Sequence, residues 1–284
     1  DDRVTGKLES WAPHAKIIHM DIDPSCISKN VYVDCAVVGD VKMVLQELLP
    51  LVGKKDTSAW LGQITQWKQE CPLDYDQDGL LRPQYILDLL WEKTKGDAVV
   101  ITDVGQNQMW GAQFFKYVYP RTHITSGGLG TMGFSLPAAM GASFGQRTRP
   151  VVSINGDGGF LMNAQELGVI SQYNLPVKII IFNNNFLGMV RQWQELFHES
   201  RYSHTDLSGS NPDYVKLAEA FRIKGLYCEN VADVQKTLDE AFAHDGPVLM
   251  EFKVVKEEMV FPMVPSGAST DEMITKRMTP DSFV

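Results

Sequence analysis

The sequence predicts a doubly wound parallel α/β sheet, preceded by the tail of a second α/β domain. Three observations carry this. Val151–Ile154 and Val177–Phe182 are short apolar runs of the buried-strand type. Between them Ala164, Leu167 and Ile170 recur at helical spacing over Asn163–Asn174 until Pro176 stops the helix. Such a βαβ unit makes the two strands parallel, joined by a right-handed crossover. Near the start, residues 1–53 hold only a β-β-α stretch, about 50 residues, too few to bury a core of their own.

Taken in order, Ala15–Asp23 (AKIIHMDID) reads as a strand ending in two acids before Pro24. Val31–Val38 is a second strand-like run ending at Gly39-Asp40. Val41–Leu51 is helical, with Val41, Val44, Leu45 and Leu48 on one face. The connector, residues 54–82, holds a helix over Ser58–Glu70 with Ser58 as a candidate cap and Trp60, Ile64 and Trp67 on one side. The polar run CPLDYDQDGLLRP follows, broken by Pro72, Gly79 and Pro83, and the domain boundary belongs there. DYDQDG has the outline of a calcium loop, but no glutamate follows at the required spacing, so it reads as solvated linker. The second domain, residues 83–284, opens with a helix from Pro83 to Lys95. A strand over Asp97–Val104 then leads into the polar turn Gly105-Gln106-Asn107-Gln108. Beyond the central unit, Met189 and Trp193 share a helical face, for which a buried pair is the plain reading. Asn211-Pro212-Asp213 caps a helix with Tyr214, Leu217, Ala218 and Phe221 inward. A strand (Ile223–Cys228), an amphipathic helix (Val231–His244), a last strand (Val248–Val255) and a loop-like tail at Phe261–Gly267 complete the chain.

Bulk properties narrow the function. The 284 residues are 44% apolar and 21% charged, as in a globular protein. Apolar runs fall short of a membrane span and no signal or transit segment opens the chain, so no membrane partner is expected. A net charge of −9 argues against nucleic acid. Cys26, Cys35, Cys71 and Cys228 show no metal spacing and read as thiols of a reducing compartment. The first residue is Asp rather than Met, which reads as part of a longer polypeptide.

The chemistry concentrates at the carboxyl ends of the two central strands. Asp157 follows one, and Asn183, Asn184 and Asn185 follow the other. Ligands of open α/β sheets bind at that end. A carboxylate and an amide oxygen there suit a hard divalent cation that borrows further oxygens from phosphates. Gly158 and Gly159 leave room for a diphosphate. GDGG and NNN are each common turn residues; their pairing across one crossover makes them a site. Gly128–Gly133 also matches GxGxxG, yet no acid stands about twenty residues on, where the dinucleotide site needs one. Asp21 and Asp40, each after a strand, are candidates for ribose contact, with capping and turn formation an equal alternative.

Asp157 with Asn184 resembles the metal and diphosphate motif of thiamine-diphosphate enzymes. GQNQMW at Gly105–Trp110, GGLGTMG at Gly127–Gly133, LGMVRQWQ at Leu187–Gln194, PSG at Pro265–Gly267 and DDRVTGKL at the start extend the likeness over nearly the whole chain. Together they resemble the acetohydroxyacid synthases (acetolactate synthases), catalytic subunit.

The resemblance implies thiamine diphosphate, Mg²⁺ and a structural FAD as cofactors. It implies Mg²⁺ on Asp157, Asn184 and a main-chain oxygen of Phe186. It places Gln106, Asn107, Gly127, Gly128, Gly130, Thr131, Gly158, Gly159 and Gly188 around thiamine diphosphate. Met132 becomes the wedge that bends the cofactor, Met189 its support, and Trp193 a wall of the substrate pocket. Asp21, Ile22, Asp40 and Val41 fall on FAD contacts and Arg3 near the substrate carboxylate. Asn107 stands where the family has histidine; it can donate a hydrogen bond but cannot carry a proton. The implied reaction is decarboxylation of pyruvate and ligation of the remaining unit to pyruvate or 2-oxobutanoate, in branched-chain amino acid biosynthesis. The family is cytoplasmic in bacteria and works as a homodimer or tetramer, with a small regulatory subunit left open. Its activating glutamate belongs to a more N-terminal domain that nothing here resembles, so this chain is expected not to turn over alone. A sibling such as pyruvate oxidase or glyoxylate carboligase, or a cofactor-binding piece inactive alone, are the alternatives.

Overall fold

A computed structural model describes residues 2–275. The chain forms two compact units, Asp1–Pro72 with Phe261–Val284, and Leu73–Val260.

In the first unit β1 (Ile18–Asp21) and β2 (Cys35–Val38) pair in parallel, Ile18 opposite Cys35 and Asp21 opposite Val38. Both are shorter than their apolar runs, and just before the ladder the Ile17 N–H goes to the Asp34 carboxylate. Asp40 caps the helix Val41–Leu48 by accepting from the Lys42 and Met43 amides. The capping alternative thus accounts for its carboxylate. Asp21 accepts from the Asp23 amide and lies 3.6 Å from His19. The helix Ser58–Glu70 forms as predicted, and Trp60 and Trp67 meet edge-on at 5.5 Å. Ser58 is its first residue rather than its cap; its amide is bound by Asp56. No residue from Val4 to Pro72 is buried, as expected of so small a β-β-α stretch. The tail from Phe261, which the sequence placed with the second domain, groups with this unit, where Lys7 donates to the Ala268 carbonyl at 3.1 Å.

The second unit is a six-stranded parallel sheet in the order β4-β3-β5-β6-β8-β7. The strands are β3 (Val99–Thr102), β4 (His123–Thr125), β5 (Val151–Gly156), β6 (Val177–Asn183), β7 (Lys224–Cys228) and β8 (Val248–Lys253). The predicted central pair is present, in register from Val151 opposite Val177 to Gly156 opposite Phe182. Alternation along the strands splits the apolar residues into two cores. Val100, Ile154, Ile180, Phe182 and Met250 pack with Ile86, Leu90, Trp110 and Leu238. Ile101, Val151, Ile179, Ile181 and Leu249 pack with Leu136, Ile170, Tyr214 and Ala218. Helices therefore cover both faces, which is the doubly wound arrangement.

Three departures from the predicted elements bear on the site. The GDGG turn does not stay a turn: Asp157 opens a short helix, Asp157–Leu161. The crossover starts as a 3-10 turn, Ala164–Glu166, and becomes helical only over Leu167–Gln172, because the Asn163 amide is drawn out to the Gly133 carbonyl at 2.8 Å. The polar stretch after β3 is already helix from Gln106 to Phe114. The acidic run is not a free linker either. Asp76 and Asp78 pair with Arg82, a buried guanidinium that also binds Glu258. Among the described residues, no helix is long and apolar enough to cross a membrane.

After β3 the chain turns to β4 on one side; after β5 it turns to β6 on the other. The crevice between the carboxyl ends of β3 and β5 is thus the topological switch point, where ligands of such sheets bind.

Candidate functional site

A cavity of about 240 Å³ opens at this switch point. Three connections wall it: Val104–Asn107 after β3, Gly156–Gly159 after β5, and Asn184–Val190 after β6. Trp110, Phe182, Met132 and Met189 make the apolar side. Asp157, Asn184 and Phe186 make the polar side.

Asp157 is 1% exposed. Burial pushes its carboxyl up to about 6, against the pull of the Asn211 amide and the Gly158 N–H. The Asn211 amide nitrogen donates to Asp157 Oδ2 at 2.8 Å and to Asn185 Oδ1 at 3.1 Å. Tyr214 completes the clamp, its hydroxyl meeting Asn211 Oδ1 at 3.0 Å and the Asp157 carbonyl at 3.2 Å. Asn185 sits at φ 60°, a left-handed conformation that asparagine tolerates, and its amide is tied to Asn183 Oδ1. This turn aims Asn184 into the cavity, with Asn184 Oδ1 accepting the Phe186 amide at 3.0 Å. Gln106 bridges the walls: its amide nitrogen donates to Gln192 Oε1 and to the Glu258 carbonyl, each at 2.9 Å. Gly188 packs so closely that a Cβ there would overlap Gln106 Oε1 and stand 2.8 Å from Asn184 Nδ2.

The chain matches the family model of the C-terminal TPP binding domain of thiamine pyrophosphate enzymes over residues 103–252, and that of their central domain over residues 1–48. The chain belongs to the thiamine pyrophosphate enzymes. It is 46% identical over 98% of its length to the acetolactate synthase large subunit of Mycobacterium tuberculosis, covering 47% of that protein. It is 45% identical over 97% to the isozyme 2 large subunit of Escherichia coli, covering 50%, and 43% identical over 96% to chloroplastic acetolactate synthase 1 of rice, covering 45%. The chain spans about half the length of the curated relatives it matches.

The predicted residues divide clearly against this thiamine pyrophosphate enzyme's cavity. Gln106, Asn107, Gly130, Met132, Asp157, Gly158, Gly159, Asn184, Phe186, Gly188 and Met189 all line it. Gly127, Gly128 and Thr131 do not: they lie on the outer part of their loop, where the Thr131 amide is held by Ser126 Oγ at 3.0 Å. Trp193 packs against Phe197 with tilted rings, centres 4.8 Å apart, and lines a separate shallow cavity, which shares only Val190 with the first. Asp21, Ile22, Asp40 and Val41 belong to the first unit. Arg3 lies in the helix Asp2–Thr5, and its side chain falls outside the described residues.

The residues fit a magnesium diphosphate. Burial disfavours the charged form of the Asp157 carboxyl, a penalty that a divalent cation beside it would relieve. Asn184 and Phe186 line the cavity beside Asp157. Asn107 Oδ1 is buried without a partner among the described residues, and the Asn107 side-chain nitrogen lies against Gly105 and Gly156 of the cavity wall.

Sequence reasoning missed Asn211, which it read as part of a cap. Asp213 alone caps the helix Tyr214–Ala220, through the Lys216 amide, and Asn211 turns inward instead. The NPD signal could have been read either way. Partners that orient a metal ligand are worth about 10–100-fold in affinity. Asn211→Ala is expected to weaken magnesium affinity within that range, measured as the Mg²⁺ dependence of thiamine diphosphate binding. An unchanged Mg²⁺ midpoint would show that Asn211 only packs.

Proposed function

We propose that this chain supplies the metal- and diphosphate-binding half of an acetolactate synthase. The observation that carries the reading is the convergence of Asp157, Asn184 and Phe186 with Met132 and Met189 on one cavity at the switch point. The names of relatives at 43–46% identity support the reaction class. The reaction is decarboxylation of pyruvate and ligation of the remaining two-carbon unit to a second pyruvate or to 2-oxobutanoate.

Thiamine diphosphate, when bound, supplies the nucleophilic carbon and the electron sink for loss of CO₂. The protein's part is orientation and electrostatics. Asp157, Asn184 and the Phe186 carbonyl would hold magnesium. Gly158, Gly159 and Gly188 would let the diphosphate approach the backbone. Met132 and Met189, on the apolar side, would exclude water and fix the bend between the cofactor's rings. Trp193 would contact the extra methyl of 2-oxobutanoate, and Arg3 the acceptor carboxylate. Asp21, Ile22, Asp40 and Val41 would serve a structural FAD. The working enzyme would be a homodimer or tetramer.

The test is formation of 2-acetolactate from pyruvate by the full-length protein, with thiamine diphosphate and Mg²⁺ added or withheld. Carboligation needing both supports the proposal; pyruvate-dependent oxygen uptake without carboligation would favour a pyruvate oxidase. Replacing Trp193 with leucine is expected to lower the preference for 2-oxobutanoate over pyruvate about tenfold or more, since one methyl contact is worth about 1–3 kcal/mol. Competition between the two acceptors measures it, and an unaltered product ratio would remove Trp193 from the pocket.

A further inference from the structure

The carboxyl end of β3 carries an acid that the metal and diphosphate reading leaves unused. Asp103 is fully buried. Its Oδ1 accepts the Ser135 main-chain N–H at 3.3 Å, and the N–H groups of Gly133 and Phe134 also face its carboxylate. These three residues directly follow Met132 and open the helix Ser135–Gly145, so Asp103 is a distant cap for that helix's free amides. Its Oδ2 has no partner among the described residues and lies against Gly159, where a Cβ would overlap it. One carboxylate therefore stands between two turns of the cavity: that of Gly130–Gly133, which carries Met132, and that of Asp157–Gly159. The amides of Gly133–Ser135 draw charge from this carboxylate, against the burial that raises its carboxyl.

We infer that Asp103 is a positioning residue that holds the Met132 turn against the Asp157–Gly159 turn, keeping the ring-binding and diphosphate-binding walls at one spacing. The inference rests on the thiamine diphosphate reading of the cavity. It predicts that Asp103 matters for a ligand spanning both walls and not for one that uses the polar wall alone.

The experiment compares wild type, Asp103→Asn and Asp103→Ala in the full-length protein. Each is titrated calorimetrically, in Mg²⁺, with thiamine diphosphate and separately with inorganic diphosphate. Wild type that binds no thiamine diphosphate would defeat the reading of the site itself, whatever Asp103 does. Given wild-type binding, Asp103→Ala is expected to raise the Kd for thiamine diphosphate about tenfold, as for one buried donor left unpaired. The Kd for inorganic diphosphate is expected to hold. Asp103→Asn, which keeps one acceptor oxygen, should lose less. In protein carrying ¹³C-methyl methionine, the Met132 resonance is expected to move in both variants. If Asp103→Ala does not fold, Asp103→Asn decides by the same two readouts. Parallel weakening of both ligands, unaltered thiamine diphosphate affinity, or an unmoved Met132 resonance would each overturn the inference.

Discussion

Asp157→Asn is expected to abolish magnesium-dependent binding of thiamine diphosphate and, without metal, to make the protein more stable. Both effects come from one buried charge. Burial raises the carboxyl to about 6, from an ordinary 3.8, so the fold favours the protonated form. The sign follows: the penalty is absent below about 4, grows as pH climbs through 6, and is complete at neutral pH. Its size there is roughly 3 kcal/mol. Asparagine removes the charge and still accepts the Gly158 amide. It loses the second acceptor for Asn211, which retains Asn185 Oδ1. That loss costs about 1 kcal/mol, leaving a net gain of roughly 2 kcal/mol at pH 7. Denaturant unfolding of both proteins in EDTA at pH 4.5 and pH 7 measures it. A gain confined to the higher pH supports the argument; an equal difference at both pH values would mean that packing, not charge, is responsible. Calorimetry with Mg²⁺ gives the functional half, and binding retained by the variant would remove Asp157 from the metal site.

This site was legible in the sequence to the extent that its chemistry is local. Asp157 and Asn184 each follow a strand of one βαβ unit, and parallel pairing of the two strands brings both to the carboxyl end of the sheet. In the structure, strand alternation sends Ile180 and Ile181 to opposite cores. What the sequence hid were groups whose role depends on long-range packing. Asn211 stands 54 positions from Asp157 and reads locally as a helix cap. Asp103 reads as the polar end of a strand, and nothing near it in sequence announces that Ser135 will deliver an amide to it. Gln106 reads as a diphosphate contact, but Gln192 and Glu258 already hold its amide nitrogen. Helix boundaries failed for the same reason. Asn163 fits a helix by periodicity until the Gly133 carbonyl competes for its side chain.

Glycine 159 gives the sharpest test of that long-range packing, because its local preference and its surroundings oppose each other. It lies within the helix Asp157–Leu161. Alanine there would normally add up to about 1 kcal/mol of stability. Gly141, in the helix Ser135–Gly145, has nothing within 4 Å of a built Cβ, so Gly141→Ala is expected to show that gain. At Gly159 the new Cβ would overlap Asp103 Oδ2, a short side chain fixed at the end of β3 with no flexible stem to swing away. The carboxylate must move, and the Ser135 amide it holds is disturbed with it. Overpacking of this kind costs about 1–3 kcal/mol beyond the lost helical gain. Gly159→Ala is therefore expected to destabilise by roughly 2 kcal/mol and to weaken thiamine diphosphate binding, with Gly141→Ala doing neither. The double variant Gly159→Ala with Asp103→Ala separates the causes. Removing the carboxylate should recover part of the Gly159→Ala loss, giving a coupling of about 1 kcal/mol in denaturant unfolding. Strict additivity of the two changes would mean that alanine at this position suffers from something other than Asp103.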